Sequence, residues 1–202
     1  MSATTNKTAA SFEPVVVKRD GNAAPVDESQ VRSRIQALCD MEPPLAGVDV
    51  DLVARHVTQR LHSGITTQAL DDLTARTCAS RETTHPDYGT LAARVEVSNM
   101  HKSTDPSFSR TTKRLAAANA LGKMDPRYLQ FVEAYADVLD AVIDPVADYG
   151  YTYFGIKTLQ KGYLLRADGV VAETPQFALM RQAAFLHGFD DAAAVRLSLI
   201  HI

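Results

Sequence analysis

Cysteine is scarce in this 202-residue chain, which contains only Cys39 and Cys78. The two lie too far apart in the sequence to form a CxxC metal or redox motif. Each falls on the apolar side of a predicted helix, where a free cysteine usually packs as a small hydrophobic residue. We therefore expect two buried, unreactive thiols and a reducing, cytoplasmic environment.

Long apolar runs and an excess of either charge are also missing. No stretch approaches the roughly 20 apolar residues that a membrane span requires, and residues 1–13 are predicted to be a small, polar, disordered leader rather than a secretory signal. With 21 basic against 24 acidic residues, the chain has no broad electrostatic footprint for nucleic acid or for an anionic membrane. We expect neither partner, and any phosphate binding must depend on a local cluster of residues.

Hydrophobic residues make up 46% of the chain, enough for a real core, and their spacing predicts a mainly α-helical protein. A β-branched run at residues 15–18, a turn at residues 20–22 and a short strand at residues 25–26 predict a β-hairpin. Four helices should follow, beginning near Asp27, Val50, Thr66 and Pro86. The hairpin and these helices define a first module over residues 14–105.

The apolar pattern weakens after residue 105. Because residues 105–125 are rich in Ser, Thr and Pro, we interpret them as a linker or surface excursion, with the domain boundary near residue 105. Beyond it the sequence predicts four elements, namely a helix over residues 126–144, a helix over residues 154–165, a strand at residues 170–172 and a helix from Pro175. These elements make residues 106–192 a second helical unit.

Polar residues of the first module suggest a phosphate-binding site. Lys18 and Arg19 lie near the predicted hairpin turn and can donate charge-assisted hydrogen bonds to a triphosphate. Thr66 and Thr67 begin the third helix, where hydroxyls and free backbone N–H groups meet the positive end of the helix dipole. Asp71, one turn later, can accept from a sugar hydroxyl. Together these residues have the composition of a purine nucleotide triphosphate pocket.

Each of these features also has a purely structural alternative. A Lys-Arg-Asp-Gly segment is often a solvated turn, a Thr-Thr pair is often only a helix cap, and an aspartate in a first turn often serves the helix dipole. The nucleotide hypothesis depends on all three occurring in this order within one module. No metal bound by this chain is expected, because His56 and His62 lie on different faces of one helix and cannot form a two-histidine clamp.

Longer motifs extend the hypothesis. The chain contains, in order, VVVKRDG, RSRIQALC, SGITTQALDDLTA and HPDYGTLAARVEVSNMHKST, followed by DYGYTYFGIKTLQKGYLLR and AETPQFALMRQAAFLHG. The first set resembles the ATP-cone regulatory domain at the start of ribonucleotide reductase large subunits. The second set resembles the helical segment that follows the cone in the class I enzymes. The resemblance ends near residue 192, and residues 193–202 are an unmatched tail.

In that family the cone binds ATP as an activator and dATP as an inhibitor of overall activity, and magnesium is expected to accompany the nucleotide. The resemblance implies that the effector contacts a basic pair, a loop that wraps the nucleotide and positions on the third and fourth helices, which here are Lys18, Arg19, Ala24, Pro25, Val26, Asp27, Glu28, Ser29, Gln30, Thr67, Asp71 and Lys102. The chain departs from the family at Ser29-Gln30, where relatives commonly have Asp-Lys. Losing that lysine removes a phosphate partner, for which Arg32 or Arg34 could compensate, although arginine is not an equivalent point charge.

The resemblance also implies what the whole enzyme does. A class I ribonucleoside-diphosphate reductase is a thioredoxin- or glutaredoxin-dependent oxidoreductase that makes deoxyribonucleotides together with a small subunit, which carries the radical cofactor. Effector control is expected to act through a homo-oligomer of large subunits. The catalytic α/β barrel and its cysteines are not in this sequence, so we expect no catalytic residue here. We interpret the chain as a fragment that is inactive alone, with a foreign or badly predicted tail.

Two other functions remain open. A free-standing nucleotide sensor, such as a cone-containing transcriptional repressor, would carry a four-cysteine zinc ribbon before the cone, and this sequence has none. An inert truncated product would bind nothing if Ser29-Gln30 has disabled the cone. Titration with ATP and dATP separates this last alternative from a working regulatory module.

Overall fold

Helices dominate the protein. The computed structural model describes residues 15–122, 125–187 and 195, and these residues form nine α-helices, one short 3-10 helix and five short strands. The prediction of a mainly α fold is confirmed, and the strands of the described residues make only two small sheets, with no α/β barrel. The predicted leader and, apart from Val195, the predicted tail lie outside the described residues. None of the described helices combines the length and apolar character needed to cross a membrane.

A three-stranded sheet begins the first unit. Strand β1 (Val15–Val17) pairs antiparallel with β2 (Ala23–Pro25), and Gly21 in the turn between them has φ +83°, a left-handed value that favours glycine. The predicted hairpin is therefore confirmed. Strand β3 (Ile65–Thr66) pairs parallel with β1, which makes β1 the central strand. The sequence did not predict β3, because two residues are too few to show a period.

Four helices complete the first unit, α1 (Glu28–Cys39), α2 (Val50–Thr58), α3 (Thr67–Ala79) and α4 (Pro86–Ser103). Each begins where a side chain accepts a hydrogen bond from a free N–H of the first turn. These capping residues are Asp27, Asp49, Thr66 and His85. All four predicted helices are confirmed.

The core of the first unit lies among these helices. Its fully buried side chains include Ile35, Val53 and Leu91. Cys39 and Cys78 belong to the same core and are 3% and 0% exposed, as predicted. Burial raises the pKa of Cys39 to about 11 and that of Cys78 to about 12, so both cysteines remain neutral thiols at physiological pH.

Arg94, in the middle of α4, fastens the loop that follows α1. Its Nη1 donates to the carbonyl oxygens of Leu38 and Met41 over 2.8 and 3.0 Å, and its Nη2 donates to that of Pro43 over 2.7 Å. The residue is only 3% exposed. A buried guanidinium therefore satisfies three carbonyl groups in the last turn of α1 and in the loop after it, where the helix supplies no N–H partner.

Helix α5 (Phe108–Ala117) occupies the stretch that the sequence predicted as a linker. That prediction is wrong, because the polar residues that interrupt the apolar pattern are buried and bonded to a distant partner. The hydroxyls of Ser107 and Ser109 both donate to Asp140 Oδ2 over 2.8 Å, and the Ser109 N–H donates to Asp140 Oδ1. Phe108 beside them is 1% exposed. Periodicity alone cannot reveal a helix whose buried face is partly polar.

The rest of the second unit comprises α6 (Pro126–Ala134), α7 (Ala136–Val142), a 3-10 helix (Pro145–Gly150), α8 (Tyr153–Gly162), β4 (Arg166–Ala167), β5 (Val170–Val171) and α9 (Pro175–Leu186). The single helix predicted over residues 126–144 is two helices, interrupted at Tyr135. The predicted strand near residue 170 is the second strand of a β4–β5 hairpin. Helices α8 and α9 confirm the remaining predictions.

Helix α4 serves both units. One side of it contributes to the core of the first unit, whereas Val97 and Met100 pack against Ile156 and Leu164 of the second. All four of these side chains are at most 5% exposed. The two units therefore share a helix and a continuous apolar contact, which places residues of α8 beside α3 and α4.

Candidate functional site

The β1–β2 turn holds the first two candidate residues. Its backbone is closed by bonds from the Lys18 N–H to the Asn22 carbonyl over 2.8 Å and from the Gly21 N–H to the Lys18 carbonyl over 3.0 Å. Asp20 accepts from both the backbone and the side chain of Asn22, and these hydrogen bonds hold the pKa of its carboxyl below the usual value. Asp20 therefore builds the turn, while the Lys18 side chain is exposed.

Arg19 connects this turn to the helices. Its Nη2 donates to Asn99 Oδ1 over 2.6 Å and lies 3.9 Å from Asp71 Oδ2. Arg34 of α1 approaches the same carboxylate from the other side, and its Nε donates to Asp71 Oδ1 over 2.8 Å. We call these four residues the Arg19 cluster. The hairpin, α1, α3 and α4 each contribute one side chain to it.

The electrostatics of the Arg19 cluster favour an anionic ligand. Two guanidinium groups face one carboxylate, so the cluster carries a net positive charge. Asp71 is 6% exposed, and its burial raises the pKa of the carboxyl, although Arg34 and Arg19 oppose that rise. Arg34 Nη2 is buried and has no hydrogen-bond partner among the described residues. A buried donor without an acceptor is costly, and an acceptor group of a ligand would relieve that cost.

The cavity beside the Arg19 cluster is small. It measures about 20 Å³ and is lined in part by Arg34 and Asp71, which is room for one water molecule. A larger ligand must therefore approach from the exposed side, where Arg19 keeps 36% of its side-chain surface.

The threonines at the start of α3 have separate roles. Thr66 Oγ1 accepts from the Ala69 N–H over 3.1 Å and caps the helix, so the structural alternative holds for this residue. Thr67 is the first residue of α3 and is partly buried. Asp71 follows it one turn later, which gives a hydroxyl and a carboxylate at positions i and i+4 of one helix.

The segment from β2 into α1 contains the remaining candidates of the predicted loop. Asp27 caps α1 by accepting from the N–H and the hydroxyl of Ser29 over 2.8 and 2.7 Å. The Ser29 hydroxyl and, after it, its N–H lower the pKa of Asp27. Glu28 and Gln30 are exposed, as is Pro25, whereas Ala24 and Val26 are partly buried.

Lys102 lies on the last turn of α4 and is exposed. Of the candidate residues, the structure thus brings Arg19 and Asp71 into direct contact. Arg34, considered in the sequence only as a replacement for the missing lysine, proves to be a central member of the cluster. Asn99 was missed, although it lies within the LAARVEVSNMHK motif, because an amide in a helix carries no pattern of its own.

A second feature adjoins the Arg19 cluster, because its lining includes Asn99. A cleft of about 510 Å³ opens between these helices, α8 and the β4–β5 hairpin, and its lining includes Asp72, Glu96 and Lys157. Lys157 Nζ lies 3.1 Å from Glu96 Oε1 and 3.6 Å from Asp72 Oδ1. This contact could not be predicted from the sequence, because Lys157 belongs to the second unit and its two partners belong to the first.

No group of three or more His, Cys, Asp or Glu side chains capable of holding a metal ion occurs within residues 15–122, 125–187 and 195. His101, beside Lys102, is instead engaged with the second unit. Its Nε2 lies 2.8 Å from Oδ2 of Asp148, which is fully buried, and its ring meets Tyr149 edge-on at 5.6 Å.

Comparisons with known proteins agree with this architecture. Residues 14–103 match the ATP cone domain family, and residues 149–198 match the family described as ribonucleotide reductase, all-alpha domain. The second match runs to residue 198, into the tail for which the sequence had shown no resemblance.

Curated relatives of the chain are also ribonucleotide reductase proteins. The chain is 42% identical over 188 residues to the ribonucleoside-diphosphate reductase large subunit of Dictyostelium discoideum, covering 89% of this chain and 22% of the relative. It is 42% identical over 181 residues to ribonucleoside-diphosphate reductase large chain 2 of Saccharomyces cerevisiae, with coverages of 87% and 21%. The large subunit of Danio rerio is 41% identical over 189 residues, with coverages of 89% and 23%.

The chain thus spans between 21% and 23% of the length of these three relatives. Within that span, two consecutive domain matches and 41–42% identity agree with the hairpin, the cone helices and the helical unit that follows. Residues 14–103 thus match the ATP cone domain and residues 149–198 the all-alpha domain of ribonucleotide reductase, and the chain is similar to the N-terminal region of ribonucleoside-diphosphate reductase large subunits.

Proposed function

We propose that the first unit binds ATP or dATP at the Arg19 cluster and thereby controls the activity of a ribonucleoside-diphosphate reductase. The observation that carries this proposal is the convergence of Arg19, Arg34, Asp71 and Asn99 from four elements of an ATP cone domain. Their net positive charge and the unpartnered Nη2 of Arg34 suit a polyphosphate.

The exposed basic residues complete the phosphate site in this proposal. Lys18 and Arg19 in the turn and Lys102 on α4 bind the triphosphate, which is accompanied by magnesium. Residues 24–30 wrap the nucleotide, and Thr67 contributes its hydroxyl. Asp71 Oδ1 is already bonded to Arg34, whereas among the described residues Oδ2 has only the 3.9 Å ion pair with Arg19. Oδ2 is therefore the oxygen that accepts from a sugar hydroxyl.

Discrimination between ATP and dATP requires more than this pocket. The two nucleotides differ by one hydroxyl, and one hydrogen bond contributes only about 0.5–1.5 kcal/mol. Opposite effects on activity therefore need a bistable assembly whose two arrangements bind the effectors unequally. We propose a homo-oligomer of large subunits as that assembly, with residues 14–105 as the effector module and residues 106–192 as the helical unit leading into the barrel.

The activity of the whole protein follows from the same proposal. The large subunit reduces ribonucleoside diphosphates to deoxyribonucleoside diphosphates for DNA synthesis, and its partner small subunit supplies the radical cofactor. The residues described here bind the effector and transmit its presence, and they take no part in the chemistry. Buried, unpaired Cys39 and Cys78 fit a reducing cytoplasm.

Isothermal titration calorimetry of the 202-residue chain with ATP and with dATP tests the proposal. We expect saturable binding of both nucleotides with one site per chain. The Asp71→Asn variant should bind dATP more weakly. Absence of saturable heat for both adenine nucleotides with folded wild-type protein would refute the proposed function and favour the inert alternative.

A further inference from the structure

Lys157 bridges the two helices that hold half of the Arg19 cluster. It projects from α8, in the second unit, and contacts Glu96 of α4 at 3.1 Å and Asp72 of α3 at 3.6 Å. Neither carboxylate belongs to the Arg19 cluster. A single cation from outside the first unit therefore contacts one acidic group of α3 and one of α4, in a cleft that Asn99 of the Arg19 cluster also lines.

Of the two carboxylates, Glu96 depends more strongly on Lys157. Glu96 is 4% exposed, its Oε1 accepts from Lys157, and its Oε2 is buried with no hydrogen-bond partner among the described residues. Asp72 is less dependent on Lys157, because it also pairs with Arg76 at 2.7 Å. Burial lowers the pKa of Lys157, but the charges of Glu96 and Asp72 outweigh burial and leave it above its ordinary value.

Both partners of Lys157 lie next to members of the Arg19 cluster. Asp72 directly follows Asp71 in α3, and Glu96 precedes Asn99 by one turn of α4. Removing the ammonium group would leave Glu96 as an uncompensated buried charge facing another carboxylate. The helices would separate or rotate to hydrate it, and the same movement would change the spacing of the two groups that face Arg19.

We propose that Lys157 is a positioning residue for the nucleotide site, coupling effector binding in the cone to the docking of α8. This inference rests on the proposed function. Through α3 and α4, Lys157 sets the separation of Asp71 and Asn99, and hence the position of Arg19 and its turn. By reciprocity, a nucleotide that favours one position of these helices changes the strength of the Lys157 contacts.

Lys157→Met tests the coupling, with Lys157→Arg as the conservative variant and Lys161→Met as the matched control. Lys161 lies one turn later on α8 and is exposed. In calorimetry with ATP, Lys157→Met should bind about three- to tenfold more weakly, within the range for residues that modulate coupling without touching a ligand. Lys157→Arg should restore most of the affinity, and Lys161→Met should match wild type. Unchanged affinity in folded Lys157→Met would overturn the inference.

Hydrogen exchange without nucleotide gives a readout that does not depend on the proposed function. Lys157→Met should speed exchange of the Lys18 and Gly21 amides in the β1–β2 turn, which Lys157 does not contact directly in any hydrogen bond or ion pair of the described residues, whereas Lys161→Met should not. Equal exchange rates in wild type, Lys157→Met and Lys161→Met would refute the coupling even if ATP binds. Failure of wild type to bind ATP would instead refute the proposed function while this comparison still decides the coupling.

Lys157→Met could also unfold the chain, and the double variant Glu96→Gln/Lys157→Met covers that case. It removes the buried charge together with its partner, which is better tolerated than removing one partner alone. If Lys157 acts by restraining Glu96, the double variant should be folded and should recover turn protection relative to Lys157→Met. A folded double variant with fast turn exchange would contradict this route.

Discussion

Arg19 in the β1–β2 turn donates a 2.6 Å hydrogen bond to Asn99 of α4, a residue 80 positions later in the sequence. Asn99 is 7% exposed, so its position is fixed by the packing of α4. The turn is therefore anchored to the helix that also contacts the second unit. This relationship explains how a two-strand hairpin, which is marginal by itself, can present its basic residues in a defined place.

Replacing Asn99 with alanine should loosen that anchor. Arg19 would keep only its 3.9 Å contact with Asp71, and the lost hydrogen bond to a charged group contributes about 1.5–3 kcal/mol. We expect faster hydrogen exchange at the Lys18 and Gly21 amides and weaker ATP binding in calorimetry. Ser98→Ala, at the neighbouring position of α4, is the control. Wild-type exchange in Asn99→Ala would show that the turn is held by the sheet alone.

Asp71→Asn should separate binding from stability. The amide keeps the shape of the side chain but loses the charge that makes it a strong acceptor, so dATP affinity should fall about tenfold. Calorimetry of the variant and of Asp137→Asn, an exposed aspartate of α7 in the second unit, measures the difference. Equal affinities for wild type and Asp71→Asn would remove Asp71 from the site.

The same variant should not destabilise the protein at neutral pH. Burial raises the pKa of Asp71 in the folded state, so the stabilisation linked to its protonation is complete below pH 3.8 and is lost as the pH rises through the folded pKa. At pH 7 the ionised carboxylate carries a burial cost that the neutral amide of Asp71→Asn avoids. Urea unfolding at pH 7 should therefore give the variant a free energy of unfolding at least as high as wild type. A clear loss would mean that the arginines outweigh burial.

Restoring a lysine at position 30 should strengthen triphosphate binding. Gln30 is exposed in the first turn of α1, and a cation there adds a phosphate partner. We expect Gln30→Lys to bind ATP several-fold more tightly at low salt, with the gain shrinking as ionic strength rises. Gln30→Glu should have the opposite sign. If neither variant alters ATP affinity at low salt, residue 30 lies away from the phosphates.

The fold was predictable wherever local signals were strong. The Asp20-Gly21 turn, the cap at Asp27 and the Pro at the start of α4 each have one dominant physical reason, and each element was found. Helix α5 was mistaken for a linker because Ser107 and Ser109 satisfy their hydroxyls at Asp140, which lies over 30 residues later. A sequence shows that such residues are polar, but it does not show that a carboxylate far away in the chain accepts their hydrogen bonds.

The candidate site likewise contains some residues that the sequence could predict and others that it could not. Arg19 and Asp71 could be proposed from their residue types and order, and the structure brings them together. Asn99 and Lys157 could not, because their importance lies in contacts between elements far apart in the chain. A helical amide and a helical lysine are ordinary surface residues until tertiary packing gives them a partner.

Buried thiols should resist modification. Burial raises the pKa of Cys39 to about 11 and that of Cys78 to about 12, against 9.0 for an ordinary thiol. The thiolate is the reactive form. At pH 8, a thiol reagent should label both only after unfolding in urea. The same pKa values predict how stability depends on pH. Because the thiols ionise at a lower pH in the unfolded state, the free energy of unfolding should fall between pH 9 and 12. Rapid labelling of native protein would contradict the described core.

Arg94 should be among the most sensitive positions for stability. Its three hydrogen bonds to the carbonyls of Leu38, Met41 and Pro43 lie in a buried environment. Arg94→Met keeps much of the side-chain volume but orphans these carbonyls, so we expect a loss of about 3–5 kcal/mol in the free energy of unfolding. Urea denaturation followed by circular dichroism measures it.

Arg94→Lys supplies the test of mechanism. An ammonium group retains the charge but cannot reproduce the planar fork that reaches three carbonyls at once, so its stability should fall between those of wild type and Arg94→Met. Arg81→Met, on a partly buried arginine that contacts His56 at 3.1 Å, controls for losing any arginine and should cost much less. If Arg94→Lys equals wild type, charge alone holds the loop, and the directional bonding described for Arg94 is not what stabilises it.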